Sequence, residues 1–128
     1  MSRKLPIRRI ALEIIEAKKA KLEKRSGGIY IGTVEAAILV DKTMGSEFRI
    51  ALVNFSPGAK NKFHTHDCEQ ILYITSGKGI VATEKEEKIV TAGDVVFIPA
   101  GEKHWHGATE DSAFSHLYIT KAEMKTTP

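Results

Sequence analysis

The spacing of apolar residues changes once along the chain. In residues 7–22, Ile7, Ile10, Ala11, Ile14 and Leu22 share one face at helical offsets, and Pro6 suits a helix start, so the pattern predicts a helix over 7–22. Leu12 and Ile15 broaden that stripe and leave a β-strand around Leu12–Ala17 open as the alternative. Ser26-Gly27-Gly28 breaks the segment, and from Ile29 onward short apolar runs alternate with turn residues. The expected strands are Ile29–Val40, Glu47–Phe55, Lys62–His66, Gln70–Thr75, Gly79–Thr83, Glu87–Thr91, Asp94–Ile98 and Phe114–Thr120. Turns are expected at Met44-Gly45-Ser46, Ser56-Pro57-Gly58, Ser76-Gly77-Lys78-Gly79, Ala92-Gly93-Asp94 and Pro99-Ala100-Gly101. Strands rich in Val, Ile, Phe and Tyr with no second helix indicate an all-β antiparallel sandwich or barrel. The expected organisation is a basic amphipathic helical segment at 1–28, a barrel at 29–121 and a tail at 122–128.

At 128 residues, 42% of them hydrophobic, the chain is one globular domain with enough apolar material for a core and no low-complexity tract. Cys68 is the single cysteine, which excludes a disulfide scaffold. No apolar run approaches the ~20 residues of a spanning helix, and no secretory signal is visible at the basic N-terminus, so a cytoplasmic protein is expected. The net charge of +3 is unevenly placed: residues 1–25 carry +6 and the rest −3. A basic arm suggests nucleic acid, but no aromatic residue precedes Tyr30 to stack on bases. The segment therefore reads as a solvated helix face, with neither nucleic acid nor membrane as a partner.

All five histidines, His64, His66, His104, His106 and His116, fall within residues 64–116. Alternate residues of a strand share a face, so His64 and His66 point the same way, as do His104 and His106. If these strands line one interior, three to five imidazoles converge on a small volume. Imidazole is the commonest side-chain metal ligand and the usual proton carrier near neutral pH.

The surrounding residues are more specific. Gly58-AKNKF-His64-Thr65-His66-DCE-Gln70-ILYITS-Gly77 resembles the first cupin motif, G-x5-H-x-H-x3-E-x6-G, and Gly93-DVVFI-Pro99-Ala100-Gly101-EK-His104 resembles the second, G-x5-P-x-G-x2-H-x3-N. Gln70 stands where the motif has Glu, and Ala108 where it has Asn. The combination His-x-His-x3-Gln, PAGEKHWHGA and Ser115-His116-Leu117 resembles the manganese-dependent bacterial cupin hydroxynitrile lyases. It equally resembles small cupins associated with carboxymuconolactone decarboxylase-like proteins.

The resemblance implies a cupin jelly-roll β-barrel preceded by the N-terminal helix. It also implies one divalent transition metal per chain on His64, His66, Gln70 and His104. Manganese is implied first; three imidazoles and an amide oxygen also accept Fe, Ni, Zn, Co or Cu. His106 and His116 are implied in proton transfer beside the metal. An amide in place of a carboxylate leaves the ion's full charge on the site, which favours Lewis-acid chemistry over a 2-His-1-carboxylate oxygenase.

The expected function is thus a lyase-like metalloenzyme acting on a small-molecule substrate. A cupin-type dioxygenase and a non-catalytic ligand-binding or sensor cupin are the alternatives. A homodimer is expected from exposed strand edges. Trp105 is expected to pack in the core on the face opposite the histidines. Asp67 and Glu69 are expected in a turn facing out, with Cys68 a free thiol between them. Phe48, Ile50, Leu52, Phe114 and Tyr118 are candidates for core or pocket lining.

Overall fold

A computed structural model describes residues 12–128. Twelve strands form: β1 (Glu23–Arg25), β2 (Tyr30–Ile31), β3 (Val34–Val40), β4 (Phe48–Phe55), β5 (Lys60–Asn61), β6 (Thr65–His66), β7 (Gln70–Thr83), β8 (Glu87–Thr91), β9 (Val95–Ile98), β10 (His104–Ala108), β11 (Phe114–Lys121) and β12 (Thr126–Thr127). Ten of them make one sheet in the order β1-β3-β4-β11-β7-β10-β5-β2, with β8 and β9 also paired to β7. All pairings are antiparallel. The sheet curls into a nearly closed barrel, and β12 pairs with β6 separately.

Strand β7 holds the two halves together. Its first part pairs with β9 and β11, and its second with β8 and β10. The sequence pattern puts a turn at Ser76–Gly79, yet the strand runs through it. Gly77 adopts a positive φ of 76°, and the β7–β11 register slips between Ser115 and His116, so the strand bends through a bulge without reversing. A Cβ at Gly77 would overlap the Ala113 carbonyl, and one at Gly79 would overlap the Phe114 ring. Gly79 thereby makes the seat into which Phe114 packs with Phe55, Leu72, Ile74, Val34, Val53 and Ile98 to form the core.

The expected N-terminal helix is not found over its described part. Residues 12–22 contain one 3₁₀ turn, Ala17–Lys19, and Glu23–Arg25 leave as strand β1 alongside β3. Leu12 and Ile14 are 79% and 82% exposed. An amphipathic helix gains most of its stability by burying its apolar face, and these residues bury none. Residues 7–11 of the expected helix lie outside the described residues.

Side-chain placement follows strand alternation with two departures from expectation. Trp105 is half-buried, on the side of β10 away from the histidines, with the Lys60 ammonium 4.9 Å from its ring centroid; it is not core. Phe48 is 57% exposed, and Ile50 and Leu52 share its outward face on β4. Phe114 is fully buried in the core. Among the described residues no helix is long and apolar enough to cross a membrane.

Candidate metal centre

The five histidines do converge. His64, His66, His104, His106 and His116 are all buried. His64 bridges to His104 as an isolated antiparallel pair, with reciprocal backbone hydrogen bonds of 3.0 Å, and this contact brings the two motifs together. Their ring centroids lie 4.3 Å apart, and the His66 ring lies 4.8 Å from His64 and 5.2 Å from His104. One nitrogen from each of His64, His104 and His106 falls within 4.8 Å of the others, a grouping able to hold a metal ion. This trio differs from the motif trio by exchanging His66 for His106.

His64 Nδ1 lies 2.6 Å from the Lys62 carbonyl and His104 Nδ1 2.8 Å from the Glu102 carbonyl. A carbonyl oxygen only accepts, so in each ring Nδ1 carries the hydrogen and Nε2 holds a free lone pair. His66 Nδ1 lies 3.0 Å from Thr126 Oγ1. His66 Nε2, His104 Nε2 and Gln70 Oε1 are buried with no hydrogen-bond partner. Buried acceptors without partners are costly, and a divalent transition metal is the species such a nitrogen and amide-oxygen donor set fits.

His106 and His116 form a second group. His116 Nε2 stands 3.2 Å from His106 Nδ1, so one donates to the other. Phe55 packs against both rings, at 5.9 and 5.5 Å. Burial is the main cause that lowers all five histidine pKa values, holding the rings neutral. His64, His66 and His116 fall to about 4. His106 is pushed well below its usual value, first by burial and then by the neighbouring His116.

Two contributors escaped the sequence reading. Asn61 is buried; its Oδ1 accepts the His106 backbone N–H at 2.8 Å, and this bond turns its amide nitrogen toward the His106 ring at 3.4–3.5 Å. Thr126 contacts His66 from the last strand. Neither occupies a motif position, and no spacing rule marks a lone Asn or Thr. Asp67 and Glu69 face outward as expected, and Cys68 is a free, half-buried thiol. A cavity of about 80 Å³ adjoins the rings, lined by His64, His66, Gln70, His106 and His116 together with Tyr30, Tyr118 and Met124.

The Cupin domain model matches residues 51–120, more than half of the chain and all five histidines. The chain belongs to the cupin family. Across 72 residues this cupin is 46% identical to an (R)-mandelonitrile lyase of Granulicella tundricola, a match covering 54% of this chain and 53% of that protein. It is 36% identical over 76 residues to an oxalate-binding protein of Thermotoga maritima, covering 57% and 63%. The cupin spans about half the length of the first curated relatives it matches. Among solved structures, a cupin-like protein of Thermotoga maritima superposes with a TM-score of 0.74 at 33% identity, over 80% of this chain and 81% of that one. The polyketide cyclase RemF of Streptomyces resistomycificus shares the fold, with a TM-score of 0.82 at 19% identity over 91% and 84%.

Proposed function

We propose that this cupin is a metal-dependent lyase that cleaves a small cyanohydrin-type substrate into a carbonyl compound and cyanide. The observation that carries the reading is the buried His106–His116 pair, 3.2 Å apart, beside inward-turned imidazoles whose other ring nitrogens are already occupied. The 46% identity to a mandelonitrile lyase across this region supports it.

In this reading His64, His66 and His104, with Gln70 Oε1, hold one divalent transition metal, which when bound polarises a substrate oxygen as a Lewis acid. Manganese is the first ion to test, ahead of Fe, Ni, Zn, Co and Cu. His106, whose Nδ1 is paired with His116, serves as the base in this reading. Being neutral, it takes the substrate hydroxyl proton and shares it with His116. The C–C bond to the cyano carbon breaks, its electron pair leaves on cyanide, and the C–O bond becomes a carbonyl. The proton then returns to cyanide. Asn61 holds His106 by its backbone, and Phe55 keeps water from the two rings.

The cavity beside His106 and His116 is where the substrate's hydroxyl end would sit in this reading. The alternative with its own observation is a binding cupin that retains a small anion, supported by the 36% identity to an oxalate-binding protein.

Elemental analysis of untagged protein and of His64→Ala comes first, followed by cyanohydrin cleavage under argon. About one metal per chain, lost in the variant, with cleavage unaffected by removing oxygen, is the expected result. Turnover that needs air would replace the lyase with a dioxygenase. Oxalate binding without turnover would support the binding cupin.

A further inference from the structure

The three imidazoles proposed as ligands are oriented by different means. His64 and His104 each donate from Nδ1 to the carbonyl two residues upstream, Lys62 and Glu102. His66 does not use the same local device. The carbonyl two residues upstream, that of His64, accepts the His104 backbone N–H at 3.0 Å. His66 Nδ1 instead meets Thr126 Oγ1 at 3.0 Å, 60 residues away in the chain.

Strand β12 is held against β6 by short-range contacts that converge on the same spot. Thr126 registers with His66 and Thr127 with Thr65. Asp67 clamps the approach: its Oδ1 accepts the Lys125 N–H at 2.9 Å and its own N–H donates to the Lys125 carbonyl at 3.1 Å. Met124 and Thr126 also line the cavity. This segment lies beyond the residues that the family model matches.

We infer that residues 122–127 are a working part of the metal centre, with Thr126 as the positioning residue for His66. The inference rests on the metal reading above. For His66 to present a lone pair at Nε2, its Nδ1–H must donate to an acceptor, and Thr126 Oγ1 is the atom in place. Oxygen at this position is therefore required, and a methyl of the same shape cannot replace it. Because β12 is docked through so few bonds, metal uptake and docking of β12 are linked, each strengthening the other.

The test measures dissociation constants for Mn(II), Co(II) and Zn(II), by competition with a chelating dye, on full-length wild type, Thr126→Val and Thr126→Ser. Losing an imidazole's hydrogen-bond partner typically weakens metal affinity ~10–100-fold, which is the expectation for Thr126→Val, while Thr126→Ser restores most of it. Thr126→Val leaves the buried His66 Nδ1–H without its acceptor, so its urea midpoint in the metal-free protein falls while that of Thr126→Ser does not, and each affinity is measured where the variant is folded. Amide exchange at Lys125, Thr126 and Thr127 slows on metal addition in wild type and does not in Thr126→Val. Wild-type affinity in Thr126→Val overturns the role of Thr126 alone. A wild-type protein that binds none of the three ions overturns the metal reading together with this one.

Discussion

Acid should unfold the metal-free protein at a pH where most carboxylates are still ionised, because its buried histidines are held neutral. His116 shows the magnitude. It is fully buried, and burial lowers its pKa from 6.5 to about 4. Below pH 6.5 the unfolded chain binds a proton at this residue that the folded chain refuses until about pH 4. The unfolded state thus binds more protons throughout that window, so stability falls as pH falls. At ~1.4 kcal/mol per pH unit for one proton, His116 alone costs about 2 kcal/mol by pH 5 and about 3 kcal/mol by pH 4, relative to neutral pH. His64, His66, His104 and His106 act in the same direction. Against a total stability of ~5–15 kcal/mol for a domain, the loss is large. Urea unfolding in a chelator, followed by tryptophan fluorescence and circular dichroism, reads it directly. With slopes of ~1–3 kcal/mol per molar, the midpoint should drop by about 1 M or more between pH 7 and pH 5. His116→Gln should flatten the pH dependence by close to one proton. Equal midpoints at pH 7 and pH 5, or an undiminished slope in His116→Gln, would refute the argument that these imidazoles are buried and neutral.

Other perturbations separate structure from chemistry. His106→Phe and His116→Phe should keep the metal stoichiometry by elemental analysis while cyanohydrin cleavage drops ~10²–10⁴-fold, the usual worth of positioned acid–base catalysis. Asn61→Leu strands the buried His106 N–H and should cost ~1–3 kcal/mol in urea unfolding. Phe114→Ala, emptying the seat formed by Gly79, should cost ~3–5 kcal/mol by the same measurement. Gly77→Ala combines a positive φ with overlap on the Ala113 carbonyl, so it should lower the melting temperature more than Gly93→Ala, whose added methyl meets nothing.

The barrel and its histidine cluster were legible because their determinants are local. Alternation along β4, β7, β10 and β11 assigns one face of each strand to the interior, and two H-x-H pairs at motif spacing announce convergence before any contact is known. The N-terminal helix misled over its described residues, 12–22, for the opposite reason. Its periodicity is real, but periodicity stabilises a helix only where a surface exists to receive the stripe, and Leu12 and Ile14 meet none. Ser76–Gly79 misled because a glycine at positive φ serves a bulge as readily as a turn. Whether the strand reverses or bends is decided by the partner across it, β11.

What the sequence determined by itself is the fold class, the identity of the clustered imidazoles and the departure at Gln70, since each depends on residue type and spacing along one stretch of chain. What only the tertiary structure decided is how those groups are turned: which ring nitrogen faces inward, that Asn61 holds His106, and that Thr126 reaches His66 across 60 residues. Orientation depends on hydrogen-bond partners brought in by strand register. The acceptor that meets His66 Nδ1, Thr126 Oγ1, is brought there only by the pairing of the last strand with β6.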